Sequence, residues 1–213
     1  MASFIINLVG TIASIALPIA DLAKANKDAH YTSVEIGIGT GPNAGGSVPH
    51  VALWDKQGSR IGQFTGDANG HIDDGTPYNI AIENTQTVPK ESQKQPEYLM
   101  VTMQETDAIC IAYIYATGDG ASWAWFGDIG WTCGADWYPS NWIVGSGTYT
   151  PRCVWIDQDH SNGLRFQGLS LHMPDFASQD GRVQQYNDLP DTLCKSKARM
   201  NFWDSIVPDA VIA

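Results

Sequence analysis

Residues 33–39 read SVEIGIG. Val34, Ile36 and Ile38 alternate with Glu35, Gly37 and Gly39. A period of two sends the apolar set to one face of an extended chain and the small or polar set to the other. The pattern predicts a half-buried strand rather than a helix. It ends in GTGPNAGG at 39–46, a Gly/Pro/Asn cluster that reads as a turn. The same signature recurs further along the chain. Strands are predicted near 49–54, 60–64, 78–84, 98–104, 108–116, 122–131, 141–149, 153–156 and 164–172. DANGHIDDG at 67–75, TGDG at 117–120 and DHSNG at 159–163 punctuate them. Many short strands between turn signals imply an all-β fold, an antiparallel β-sandwich or partly closed barrel. Residues 86–97 (QTVPKESQKQPE) read as an exposed loop, and 198–206 as a short helical turn. No composition break separates two cores, so residues 31–213 are expected to form one β domain.

Residues 1–30 depart from this pattern. FIINLVGTIASIALPIADLA at 4–23 places Asn7, Gly10, Thr11, Ser14, Pro18 and Asp21 on one helical stripe, with Ile and Leu filling the other face. The segment predicts an N-terminal amphipathic helix, and three roles stay open for it. Ala23-Lys24-Ala25 suits a signal-peptide cleavage site, although no Lys or Arg precedes the apolar run. The helix could instead pack in a core or between copies of a homo-oligomer, or insert into a membrane surface.

Composition narrows the partners. Of 213 residues, 12 are basic and 23 acidic, giving a formal net charge of −11. That balance excludes nucleic acid, whose phosphates need a dense basic patch. It also argues against electrostatic docking to anionic lipid. The four cysteines, Cys110, Cys133, Cys153 and Cys194, show no CxxC spacing, so disulfides are expected in place of a zinc site. Three connectivities are open. The compact 19-residue segment between Cys133 and Cys153 favours pairing those two, which leaves Cys110 with Cys194. Disulfides would place the chain in a secreted or cell-surface setting. No Asn-x-Ser/Thr sequon is present.

The densest chemical feature is aromatic. Trp123, Trp125, Phe126, Trp131, Trp137, Tyr138, Trp142 and Tyr149 fall within 27 residues. No Lys or Arg occurs between Gln95 and Pro151, while six acids do. Aromatic faces pack on sugar C–H groups, and neighbouring carboxylates and amides bond hydroxyls. The turn-rich ADWYPSNW nominates Asp136, Trp137, Tyr138, Asn141 and Trp142 as ligand-binding residues for a glycan. The competing reading makes the tryptophans core residues. Rings on a loop also suit a membrane interface.

Asp157, Asp159 and Asn162 place oxygens at intervals resembling half a calcium loop, and Asp67, Asn69, Asp73 and Asp74 do the same. Neither run completes the EF-hand register. No other cofactor is suggested. Motifs of hydrolases, zinc proteases and nucleotide-binding enzymes are missing from the sequence. His172 in LSLHMPDF reads as a strand residue with a satisfied ring. A non-enzymatic binding module is therefore expected, with a membrane-active or self-assembling protein as the alternative.

DAICIAYI, GDIGWTCGADWYPSNW, CVWIDQDHSNGL and LHMPDF, within 107–176, together resemble a group of uncharacterised proteins of filamentous fungi. The resemblance covers about a third of the chain. It implies a fungal source and a secretory route, and brings with it no activity and no site residues.

Overall fold

The computed structural model describes residues 31–84, 95–118, 121–144, 148–177, 180–189 and 191–207. The predicted N-terminal helix and most of the polar loop at 86–97 lie outside them.

The described chain is mostly β-strand. The first sheet contains β1 (Tyr31–Ile38), β6 (Pro77–Glu83), β8 (Ile109–Gly118), β9 (Ala121–Phe126), β10 (Trp137–Pro139) and β11 (Arg152–Ile156), in the order β10-β11-β8-β1-β6. The second contains β3 (His50–Trp54), β4 (Arg60–Phe64), β7 (Tyr98–Thr102), β12 (Gly168–His172) and β13 (Met200–Trp203), in the order β13-β12-β7-β3-β4. β2 (Gly46–Ser47) and β5 (His71–Ile72) form a small ribbon. Every pairing is antiparallel. Val34, Ile36 and Ile38 of the first sheet and Val51, Leu53, Leu99, Val101, Leu169 and Leu171 of the second join one buried cluster. This is the layered arrangement of an antiparallel sandwich, and neither sheet closes into a barrel.

β1 decides the fold as its alternation predicts, yet it is not half-buried. Its second face is covered too, and Glu35 is 0% exposed. Gly37 makes this possible. It lies opposite Tyr113 of β8, and a Cβ at Gly37 would sit 2.0 Å from the Tyr113 ring. The ring therefore lies against bare backbone, and its hydroxyl donates to Glu35 Oε1 at 2.7 Å. Burial raises the Glu35 carboxyl above the ordinary range, only partly countered by that hydrogen bond. Burial likewise raises the Tyr113 phenol, reinforced by the hydrogen bond to Glu35 and its charge.

Long β8 carries two neighbours on one edge. Ile109–Ile111 pair with β11, and Tyr113–Gly118 pair with β9. Between those partners the chain leaves the sheet as α1 (Gly127–Thr132), where the second half of a strand at 122–131 was expected. Gly127 allows the exit, because a Cβ there would meet the Arg152 carbonyl oxygen at 2.2 Å. Two further short helices, α2 (Asp180–Asp188) and α3 (Thr192–Lys195), lie near the C-terminus. The expected helical turn at 198–206 is instead β13, which pairs with β12. The expected strand at 141–149 is irregular wherever it is described.

All four cysteines form disulfides, but the expected pairing is wrong. The bonds are Cys110–Cys153 and Cys133–Cys194, with Cα–Cα distances of 5.2 and 5.0 Å. Cys110 lies opposite Trp155 in the β8–β11 ladder, so Cys153, two residues earlier, is its diagonal neighbour. Cys133 lies beyond α1 and meets α3 instead. Two disulfides suit an oxidising compartment. Among the described residues no helix is long and apolar enough to cross a membrane.

Candidate functional site

The aromatic block divides into a core part and a surface part. Trp123, Trp125 and Phe126 of β9 are buried, and the Trp125 ring N–H donates to Met200 Sδ at 3.3 Å. For these residues the core reading of the tryptophans holds. The surface part forms where α1 hands the chain to β10. Gly134, at φ +85°, turns the chain after Cys133. β10 then returns along the edge of β11, with the Trp155 N–H donating to the Asp136 carbonyl at 2.9 Å.

The turn leaves an open pocket of about 540 Å³. Trp131 of α1, Trp137 of β10 and Trp155 of β11 line it, with Asp136 beside them and Asn162 on the facing loop. Trp131 and Trp137 meet edge to face, with ring centroids 6.1 Å apart. The Arg152 guanidinium lies 3.7 Å from the Trp131 centroid and 4.9 Å from that of Trp137. It is anchored by buried Asp128, whose Oδ1 accepts from its Nη1 at 2.6 Å. Asp128 Oδ2 accepts the Tyr149 hydroxyl at 2.6 Å. Burial raises the Tyr149 phenol, and Asp128 adds to the rise through its hydrogen bond and charge. The ring pair is thus braced from behind by the Arg152–Asp128–Tyr149 network, in which the buried Arg152 Nε makes no hydrogen bond.

Arg165 holds Asp136 in a fork. Its Nε donates to Oδ2 at 3.1 Å and its NH2 to Oδ1 at 3.2 Å, and its backbone N–H adds a bond to Oδ2 at 3.2 Å. NH2 also donates to the Gly134 carbonyl oxygen, tying the carboxylate to the turn.

Of the five residues predicted to bind ligand, Asp136 and Trp137 line this pocket. Tyr138 projects from the opposite face of β10, with its ring against Gly41, where a Cβ would sit 2.7 Å away. Trp142 packs edge to face on Tyr113, centroids 5.8 Å apart, and its ring N–H donates to the Ile38 carbonyl. Asn141 is exposed in a left-handed turn at φ +55°. Trp131, part of the aromatic block but not of the predicted ligand-binding set, and Trp155, outside the block, also line the pocket. Strand alternation at 153–156 points Trp155 away from Val154, which Trp137 faces across the ladder, and its backbone bond to Asp136 brings it to the pocket wall.

Two of the predicted calcium residues bond within their own loop, while Asp157 Oδ1 stays buried without a hydrogen bond. Buried Asp157 accepts the Ser161 hydroxyl at 2.8 Å, and Asp159 accepts the Ser161 N–H at 3.1 Å. Asn162, in the left-handed region at φ +55°, reaches the pocket rim. In the other acidic run, Asp74 accepts the N–H groups of Asn43 and Gly45 at 3.2 and 2.6 Å, and Asp67 accepts that of Asn69 at 2.9 Å. Among the described residues no three His, Cys, Asp or Glu side chains gather as a metal site.

His172, as expected, ends a strand with its ring satisfied. Nδ1 lies 2.6 Å from Asp175 and Nε2 lies 3.2 Å from Glu97, and the ring lies tilted against Tyr98 with centroids 4.7 Å apart. Burial alone would raise the Asp175 carboxyl, but hydrogen bonds and charge from His172 and Arg182 hold it below the ordinary range. This network ties β12 to α2.

No family model matches the chain, and no curated protein does. Among solved structures, the crystal structure of Delta413-417:GS LOX is 6% identical with a TM-score of 0.35, over 61% of this chain and 17% of that one. An anaerobic structure of the same LOX in complex with arachidonate is 9% identical with a TM-score of 0.33, over 59% and 16%. The chain therefore spans about a sixth of those chains. Likeness of that extent carries no argument about function.

Proposed function

We propose that this protein is a secreted, non-enzymatic module that binds carbohydrate in the Trp131–Trp137–Trp155 pocket. The observation that carries this reading is the edge-to-face pair of Trp131 and Trp137 in one open pocket that Trp155, a carboxylate and an amide also line. Indole faces cover the C–H side of a pyranose, while Asp136 and Asn162 offer polar atoms to its hydroxyls. The braced arginine behind the rings fixes their orientation before a ligand arrives, which lowers the entropy lost on binding. Two disulfides suit a module that works outside the cell.

Affinity electrophoresis through gels holding soluble polysaccharides tests the reading. Wild type is expected to be retarded by at least one neutral polymer. Trp137→Ala, and separately Trp155→Ala, should reduce retention roughly tenfold or more, since each deletes a stacking surface. Equal retention of both variants and wild type would remove the pocket from consideration.

A further inference from the structure

We infer that the ligand of this pocket is an electrically neutral saccharide, and that the Asp136–Arg165 pair is the device that excludes charged sugars. This inference rests on the carbohydrate reading above and specifies its substrate class.

Asp136 is the one ionisable side chain among the pocket-lining residues. Both of its oxygens are engaged by Arg165 in a bidentate fork, at 3.1 and 3.2 Å, with a third bond from the backbone. An amino sugar therefore finds no unpaired carboxylate. An acidic sugar finds no unpaired cation either. Arg165 is paired with Asp136 and the Gly134 carbonyl; Arg152, which does not line the pocket, is paired with Asp128 with its flat face against Trp131, and its unbonded Nε is buried. A charged ligand would leave water for a site whose charges already cancel, so its desolvation goes uncompensated. A neutral pyranose loses little on that count. It gains ring stacking, and it can share the remaining acceptor capacity of Asp136 through its hydroxyls. Recognition of this kind is insensitive to salt, because no net ion pair forms on binding.

The inference makes a variant with new specificity. Arg165→Gln removes the fork and leaves Asp136 unpaired at the pocket wall. Arg165 is 54% exposed on its side chain, so the change is compatible with folding, which a thermal melt confirms. Wild type and Arg165→Gln are compared in gels holding neutral polymers (a β-glucan, a mannan, glycol chitin), polygalacturonate as the acidic polymer and chitosan as the basic one, at low and high salt.

Because the chain carries a net charge of −11, retention counts as pocket binding only where Trp137→Ala removes it; so counted, wild type should be retarded by a neutral polymer equally at both salt levels, and by neither charged one. Arg165→Gln should gain retention on chitosan, roughly tenfold at low salt and fading at high salt. Salt-sensitive retention of wild type on polygalacturonate or chitosan that Trp137→Ala abolishes would overturn the neutral-ligand inference while leaving the carbohydrate reading intact. So would a folded Arg165→Gln that gains nothing on chitosan. Failure of wild type to be retarded by any polymer would overturn the carbohydrate reading itself, and this inference with it.

Discussion

β1 and β10 belong to the same sheet and treat their side chains in opposite ways. β1, in the interior of the sheet, hides a glutamate completely; β10, at the edge, leaves Trp137 43% exposed. Residue type alone would assign the reverse. The difference lies in what each strand has on its flanks. β1 has β6 and β8 on its two edges, and Tyr113 reaches across Gly37 to supply the glutamate with a donor. β10 has only β11, and the residues beyond it turn away, so its indole has a guanidinium behind it and open space in front. Burial follows the partner that topology delivers, and an edge strand is where a large ring can remain available to a ligand.

The comparison breaks most sharply at Gly37. Gly37→Val would drive a branched side chain into a ring 2.0 Å from the first added atom. Tyr113 would have to leave, taking the hydroxyl from Glu35. The expected loss is about 3 kcal/mol of unfolding free energy or more, read from denaturant midpoints. A loss within the range of ordinary surface substitutions would show that the covered face of β1 is loosely packed.

Glu35→Gln tests the same face more gently and through pH. The folded-state carboxyl is raised above its ordinary value of 4.5 by burial. The folded form therefore binds a proton more tightly than the unfolded chain. Its stabilising contribution is complete below the unfolded value and is lost as pH rises through the folded one. Gln keeps an acceptor for the Tyr113 hydroxyl and carries no charge. Wild type and variant should melt alike near about pH 4, and the variant should be more stable by on the order of 1 kcal/mol near about pH 8. Parallel melting curves across that range would mean that the carboxyl titrates as an exposed one does.

How much was legible in the sequence follows the same division. Alternation was enough for β1 and β6, because a period of two is a property of neighbouring residues. It was not enough for 127–131, where the chain leaves the sheet as a six-residue helix, Gly127–Thr132, starting at a glycine whose backbone passes close to the Arg152 carbonyl. Nor was it enough for β13, which becomes a strand by pairing with β12. The disulfides failed for a related reason. Short separation favoured Cys133 with Cys153, whereas the β8–β11 ladder sets Cys153 diagonal to Cys110 across 43 residues. In the pocket, composition pointed to Asp136 and Trp137. It also offered Tyr138 and Trp142, which strand direction and the Ile38 carbonyl draw elsewhere. Trp155 could enter the pocket only through a pairing that local pattern does not encode.

The smallest expected effect falls on β10. Trp137→Ala removes a ring that is 43% exposed, stands edge to face with Trp131, and lies 4.9 Å from the Arg152 guanidinium. Arg152 keeps both its bond to Asp128 and its closer stack on Trp131 at 3.7 Å. The loss of stability should therefore stay under about 1 kcal/mol, the scale of one exposed cation–π contact. Glycan retention should fall in the same variant, so stability and binding separate at this position as they cannot at Gly37. A melting midpoint that drops as far as in Gly37→Val would assign Trp137 to the fold. The ring would then be holding α1 and β10 together, and its exposure would no longer mark it as a binding surface.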